Sequence, residues 1–222
     1  PTVLILIGPD LGQAMVYIAL WAASLMVMRT SRLWIWGVFV SLPLVVWFAW
    51  EFVLAPYQKT RFLVSYNPDL APLDAGYQII QARIAIGAGG MFGEGIRGGT
   101  QSTLNLVGVT ESDFIFAHAS GMFGFIGMVG LMIAMVILLL RIIAVAEIAR
   151  DHFGQMIAIS AAGMLFFQAV LNIGMNVGLM PVAGITLPFV SAGVSSLWTF
   201  MILAGILQSI RMHHRKLAFQ PL

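Results

Sequence analysis

Cysteine is absent from the 222 residues. That removes disulfides, thiolate metal ligation and cysteine nucleophiles from the available chemistry, and it leaves the redox compartment unread. Charge is almost as scarce: only 9% of residues are Asp, Glu, Lys or Arg, against about a quarter in a soluble domain. The formal net charge of +2 and the pI near 9.3 come from a few scattered basic residues. These are too sparse for the continuous basic surface of a nucleic-acid binder, so no nucleic acid partner is expected. What is abundant is apolar, with 60% hydrophobic residues and a mean hydropathy of +0.95. Such a chain is expected to be an all-α integral membrane protein, because lipid leaves no partner for backbone groups outside helices. It opens at Pro1 with no charged n-region ahead of a cleavage site, so no signal peptide is read, and it reads as a piece of something longer.

Five apolar segments, 11–28, 33–54, 114–140, 156–179 and 195–210, are long enough to cross a hydrocarbon core of roughly 30 Å at 1.5 Å per helical residue. Arg29 and Arg32 separate the first two, Arg141 and Arg150 the third and fourth, and Arg211, Arg215 and Lys216 follow the fifth. By the positive-inside rule those ends are cytoplasmic. The long connection 55–112 and the Pro-rich turn 180–194 then lie on the extracytoplasmic face, with Asp10, Asp69, Asp74, Glu94, Glu111 and Asp113. Apart from Glu51 near an outer end, the spans carry no buried acid or base. Neither inverted repeats nor broken helices are read, which argues against ion-coupled transport.

A loop as long as 55–112 must rest in water or on protein and is usually functional. Apolar residues Tyr77, Ile80, Ile84 and Ala88 recur at helical spacing, which predicts a short interfacial helix over 75–86. Glycines at 87, 89, 90, 93, 95, 98 and 99 follow. They suggest a phosphate-cradling nest, but Phe92 stands where a dinucleotide fingerprint needs its third glycine and no strand precedes it. The ordinary reading is permissive backbone beside a membrane surface.

Asp113 precedes more than 20 apolar residues. It is either a helix N-cap, gaining from free N–H groups and the helix dipole, or a reactive carboxylate at a membrane mouth. His118, five residues on, falls off the Asp113 side of a helix, which disfavours a metal pair. In the fourth span Gln168, Asn172 and Asn176 are spaced by four and form one polar stripe, which either bonds between helices or lines a polar cavity. Pro181 and Pro188 prevent the helix continuing and imply a folded outer turn. The terminal cluster RMHHRK, 211–216, reads as an anchor to anionic membrane lipid.

Taken together, PDLGQA (9–14), PLDAGYQIIQARIAIGAGGMFGEG (72–95), GTQSTLN (99–105), SDFIFA (112–117), NIGMNVGLMPVAGITLPFVS (172–191) and the pair Ser195, Ser196 resemble the SEDS family of shape, elongation, division and sporulation proteins, in order and in spacing. The blocks DAGYQIIQ and GTQ favour its RodA-like elongation branch, whereas GITLP leans toward the FtsW-like division branch; the RodA-like branch is preferred. The chain departs from the family where an E-E-L-G block is usual, having Ser120 to Gly124, and at Ala192 and Val194 in the S-Y-G-G-S-S block.

The resemblance implies a peptidoglycan glycosyltransferase with roughly twice as many membrane helices as are read here. Such a protein polymerises lipid II on the outer face of the bacterial plasma membrane beside a class B penicillin-binding protein that crosslinks the strands. It also makes Asp113 the catalytic residue, with Ser112 in place of the usual Thr. The chemistry fits a single carboxylate: a base must take the proton from the attacking hydroxyl, whereas pyrophosphate leaves as a stable anion. Cationic groups must hold that pyrophosphate. Arg61 is the first candidate and Arg83 the second, with Lys59 and Arg97 completing the outer-face set and a divalent cation, magnesium or manganese, assisting. Gln101, Asn105, Gln168, Asn172 and Asn176 join the candidate substrate-binding residues. Two further classes stay open, a lipid-precursor flippase and an inactive scaffold for the transpeptidase. With part of the cavity expected outside this chain, the piece alone is expected to be inactive.

Overall fold

The structure, a computed structural model, describes residues 10–27, 37, 40, 41, 43, 44, 47–70, 75–95 and 112–213. Its α-helices are α1 (Leu11–Val27), α2 (Pro56–Tyr66), α3 (Ala75–Ala88), α4 (Ile115–Ile148), α5 (His152–Val177) and α6 (Val194–Met212), with a π-helical turn at Ala49–Val53 and a 3-10 turn at Pro68–Leu70. No strand occurs among the described residues, as an apolar chain that must satisfy its own backbone requires. Three of the helices, α4, α5 and α6, are long and apolar enough to cross a membrane, and α1 contains a shorter apolar stretch, Gly12–Leu25. Most of the second expected span, 33–54, lies outside the described residues.

Helix α5 is the hub, with α1, α3, α4 and α6 packed on it. Its start is set by Asp151, whose carboxylate accepts from the Gly154 N–H at 3.0 Å, a side-chain cap that satisfies one of the free N–H groups of the first turn. Its end is set by Gly178 in the left-handed conformation. Small residues Ala158, Ala161 and Ala162 and the larger Leu165 pack against Ile142, Phe200 and Leu207. Nearer the Asp113 end, Leu171 packs with Val16 of α1 and with Ile185. Along the far side of α4, Ile133, Val136, Ile137 and Leu140 are all exposed, an apolar stripe suited to lipid or to further protein.

Three features differ from the sequence expectations. The stretch after residue 55 is not simply loop, because Pro56 begins α2. Proline suits the first helical position, and the Gln58 side chain accepts from the Ala55 N–H at 2.9 Å. Helix α3 forms as expected, but Ile79, Ala82 and Ala85 are the buried stripe, whereas Tyr77, Ile80 and Ile84 face outward. The third difference corrects the expectation of unbroken helices. α4 consists of two helices meeting at Gly124, which has φ 64°, and it continues past Arg141 to Ile148.

The break in α4 has a specific filler. In a continuous helix Phe125 and Ile126 would donate to Gly121 and Met122. Instead their N–H groups bond the carbonyls of Gly90 (2.9 Å) and Met91 (3.2 Å), while the carbonyls of Gly121 and Met122 accept from Glu94 (2.9 Å) and Gly95 (3.1 Å). The segment 90–95 is thus spliced into the helix and satisfies these four groups that the break releases. A Cβ on Gly124 would strike the backbone of Phe92 and Gly93, so both the positive φ and the close approach demand glycine there. The glycine run read as permissive surface backbone, or as a phosphate nest, is over 90–95 an insert whose N–H groups at 94 and 95 are already engaged. Gly124, within the block 120–124, is the residue that admits it.

Candidate active site around Asp113

Asp113 sits in the turn before α4, half-buried. Phe114, 2% exposed, anchors that turn among Ala82 and Ala117. The N-cap reading of Asp113 does not hold: the cap position is Phe114 and no side-chain cap bond is made from it. Capping comes from another helix, as the Asn176 Oδ1 accepts from the Ala117 N–H at 3.0 Å. No hydrogen bond or ion pair from a described residue reaches the Asp113 carboxylate.

The backbone beneath that carboxylate is clamped. The Asn172 amide donates to the Asp113 carbonyl at 2.9 Å and to the Ile185 carbonyl at 2.7 Å. Asn176 donates to the same Asp113 carbonyl at 3.1 Å and to the Asn172 carbonyl at 2.7 Å. Ser191 donates to the Ser112 carbonyl at 2.7 Å while accepting from the Leu187 N–H at 2.7 Å. The turn 112–114 is thereby tied to α5 and to the returning segment 181–191. In a low-dielectric interior such bonds are strong, and their loss leaves unpaired buried groups.

The returning segment links Asp113 to a second candidate. At Gly184 the positive φ of 63° calls for glycine, and a Cβ there would stand 3.7 Å from Asp113 Oδ2, so this residue borders the carboxylate. The preceding residues Pro181, Val182 and Ala183 line a small recess together with Asp10, Tyr57 and Arg61. One step along the chain, Ala183 to Gly184, separates the wall of the Arg61 recess from the wall of the carboxylate. Arg61 itself is exposed.

The other expected site residues are placed differently. Arg83 donates from Nε to the Val177 carbonyl at 3.3 Å and from Nη2 to the carbonyls of Gly178 (3.3 Å) and Ser65 (3.4 Å). It staples α2 and α3 to the C-terminus of α5, where a cation complements the helix dipole. Lys59 lies over the Trp50 ring, 5.9 Å from its centroid. Asn172 and Asn176 are both 0% exposed; of the two uses open to the stripe, they bond protein backbone and present no surface to a ligand. Gln168 is also buried, and its Oε1 meets no partner among the described residues. Arg97, Gln101 and Asn105 lie outside the described residues. Sequence reasoning missed Ser191 and Gly184, and it missed α2 as the carrier of Lys59 and Arg61. Their signals were the TLPFVS and VAGIT blocks, whose partners are distant in the chain. Among the described residues no group of three or more His, Cys, Asp or Glu is placed to hold a metal ion.

Comparison with known proteins bears on this geometry. The sequence matches the cell cycle protein family FTSW_RODA_SPOVE over residues 1–216. Peptidoglycan glycosyltransferase RodA of Treponema pallidum (strain Nichols) is 42% identical over 158 residues, 71% of this chain and 36% of that protein. Peptidoglycan glycosyltransferase MrdB of Escherichia coli (strain K12) is 38% identical over 221 residues, 98% of this chain and 59% of that protein. A chain of a solved peptidoglycan synthase complex, described as coordinating polymerization and crosslinking, is similar in fold with a TM-score of 0.76, 31% identity, and coverage of 96% of this chain and 59% of that one. This chain therefore spans between about a third and three-fifths of the length of these proteins.

Proposed function

The chain belongs to the FtsW/RodA/SpoVE family, and from that premise we propose that it forms part of a peptidoglycan glycosyltransferase that joins sugars from lipid II at the outer face of the bacterial plasma membrane. The observation that carries the reading is the Asp113 carboxylate, which meets no partner among the described residues, while the backbone of 112–113 is held by Asn172, Asn176 and Ser191. A carboxylate positioned by its main chain and open at its oxygens is suited to proton transfer.

In the proposed step Asp113 accepts the proton of the attacking sugar hydroxyl as that oxygen bonds to the anomeric carbon of the donor. The bond from that carbon to the pyrophosphate oxygen breaks, and polyprenyl pyrophosphate leaves carrying the electron pair. Direct displacement of this kind inverts the anomeric centre. Arg61, in the recess whose wall adjoins Asp113, is the residue best placed to hold the pyrophosphate by charge-assisted hydrogen bonds. Arg83, exposed but bonded to the carbonyls of Ser65, Val177 and Gly178, ranks behind Arg61 for that role. A magnesium or manganese ion enters only as a companion of the substrate, since the described residues offer no cluster to hold one, and no step is routed through it. A class B penicillin-binding protein is the proposed partner.

The break in α4 is the one observation that favours a flippase, since discontinuous helices mark transport sites. The one charged residue of the spliced segment, Glu94, is exposed, and the segment's backbone bonds bridge the break, so glycosyl transfer remains the better reading. Polymerisation of purified lipid II by the full-length protein separates the classes. Asp113→Ala is expected to abolish product, and normal polymerisation by that variant would exclude the catalytic role and leave the scaffold.

A further inference from the structure

The segment that reaches Ser112 turns on a residue in an unfavourable conformation. Phe189, at φ 62°, is the one non-glycine with a positive φ among the described residues. The Val190 N–H donates to the Leu187 carbonyl at 3.2 Å, which makes 187–190 a β-turn with Pro188 and Phe189 at its two central positions. Proline fixes a negative φ, so the positive φ that follows gives a type II turn, whose third position calls for glycine or asparagine. A bulky residue there is strained and persists only where its surroundings hold it.

The surroundings join two parts of the molecule. On one side the Phe189 ring lies 5.3 Å from the Phe200 ring of α6, centroid to centroid, and packs on the core formed by α4, α5 and α6. The ring also borders a cleft of ≈ 550 Å³ between α4 and α6. On the other side Ser191 closes the turn a second time: its N–H donates to the Leu187 carbonyl at 3.0 Å, and its hydroxyl accepts from the Leu187 N–H at 2.7 Å. The same hydroxyl donates to the Ser112 carbonyl at 2.7 Å. Glycine at 189 would make the turn without strain, so what phenylalanine adds is the seat of its ring on Phe200.

We propose that Phe189 is a positioning residue for Asp113. Its ring, seated on Phe200, fixes the turn 187–190 and so holds the Ser191 hydroxyl against the Ser112 carbonyl, one residue before the carboxylate. Phe189 touches no reacting atom and acts through Ser191. The effect on catalysis rests on the reading of Asp113 as the base, whereas the effect on the turn does not.

The test reads two quantities on the full-length protein in detergent, lipid II polymerisation per folded molecule and hydrogen exchange at the Leu187 and Ser191 amides. Phe189→Gly should speed that exchange while leaving the amides of α5 unchanged. It should also lower kcat about 10-fold, since a small misplacement of a reacting group slows the chemical step, with KM for lipid II within about twofold. Phe189→Leu, which keeps an apolar side chain against Phe200, should restore most of both losses. Ser191→Ala should lower kcat to a similar degree, and joining it to Phe189→Gly should lower it no further, because both act through one hydrogen bond. Unchanged exchange in Phe189→Gly, or losses in kcat that add in the double variant, would overturn the proposal. Normal polymerisation by Asp113→Ala would remove the base and leave the exchange result to judge Phe189. If Phe189→Gly fails to fold, Phe200→Leu, which withdraws the partner ring, decides by the same two readouts.

Discussion

Helix α5 runs between two ends that are held in opposite ways. At the Asp113 end the non-helical segments 112–114 and 181–191 are tied to α5 and to each other through Asn172, Asn176 and Ser191, and further along α4 the segment 90–95 pairs with the backbone of the break at 121–126. At the other end α4, α5 and α6 meet, with Phe189 of the returning segment the one described non-helical residue packed among them. They touch through apolar side chains such as Ile142, Leu165, Phe200 and Leu207 and leave the cleft between α4 and α6. Irregular backbone in a low-dielectric interior is tolerated only where each polar group finds a partner, so the first end is over-determined and rigid. Apolar contacts lack direction, so the second end has room to adjust to what fills it. A reacting group belongs at the first kind of end.

The sharpest way to test this contrast is to separate chemistry from structure at the Asp113 end. Asp113→Asn removes the base but no described bond, so polymerisation by the full-length protein should fall about 10²- to 10⁴-fold with the thermal unfolding midpoint unchanged. A parallel fall in the midpoint would mean that the carboxylate holds the fold instead. Next in size is Gly124→Ala. A residue with a Cβ at this φ costs about 1–3 kcal/mol of strain, and the collision with Phe92 and Gly93 adds to it. The variant should lose folded yield and unfold at lower denaturant, and a neutral result would show that the splice of 90–95 into α4 is absent in solution.

How far such features were legible from the residues alone follows their range in sequence. The long apolar runs and the scarcity of charge announced α4, α5 and α6, and the family blocks pointed to the RodA and MrdB relatives. The i, i+4 spacing of Asn172 and Asn176 disclosed a polar stripe because both residues lie on one helix. What it bonds was hidden, since the Asp113 carbonyl lies 59 and 63 residues away and local spacing carries no information about it. Gly124 went unread as a break because glycine is ordinary in membrane helices, and only the approach of 90–95 gives it meaning. The bonds that Arg83 makes to the carbonyls ending α5 were hidden for the same reason as those of the asparagines, since they lie 94 and 95 residues away. Pro56 could have disclosed α2, since proline at a helix start followed by a reaching Gln is a local signal.

The clamp itself is the next target. Asn172→Ala or Asn176→Ala strips donors from the Asp113 carbonyl in a fully buried setting, and each should cost about 1–3 kcal/mol. Because the clamp positions the turn, polymerisation should fall further than stability, whereas a purely structural pair would lower both in step. Serine at either position should recover part of the loss if hydrogen bonding rather than volume is what counts.

The smallest effect is expected in the cleft. Phe200 packs on Phe189 with ring centroids 5.3 Å apart and lines the space between α4 and α6. In a close-packed core, shortening Phe to Leu leaves an empty volume that costs stability. Here the wall already borders open space, and a conservative apolar swap should cost less than about 1.5 kcal/mol. Phe200→Leu in detergent should therefore shift the unfolding midpoint only slightly. A large destabilisation would show that the α4–α6 end is packed as tightly as the Asp113 end, and the contrast between them would disappear.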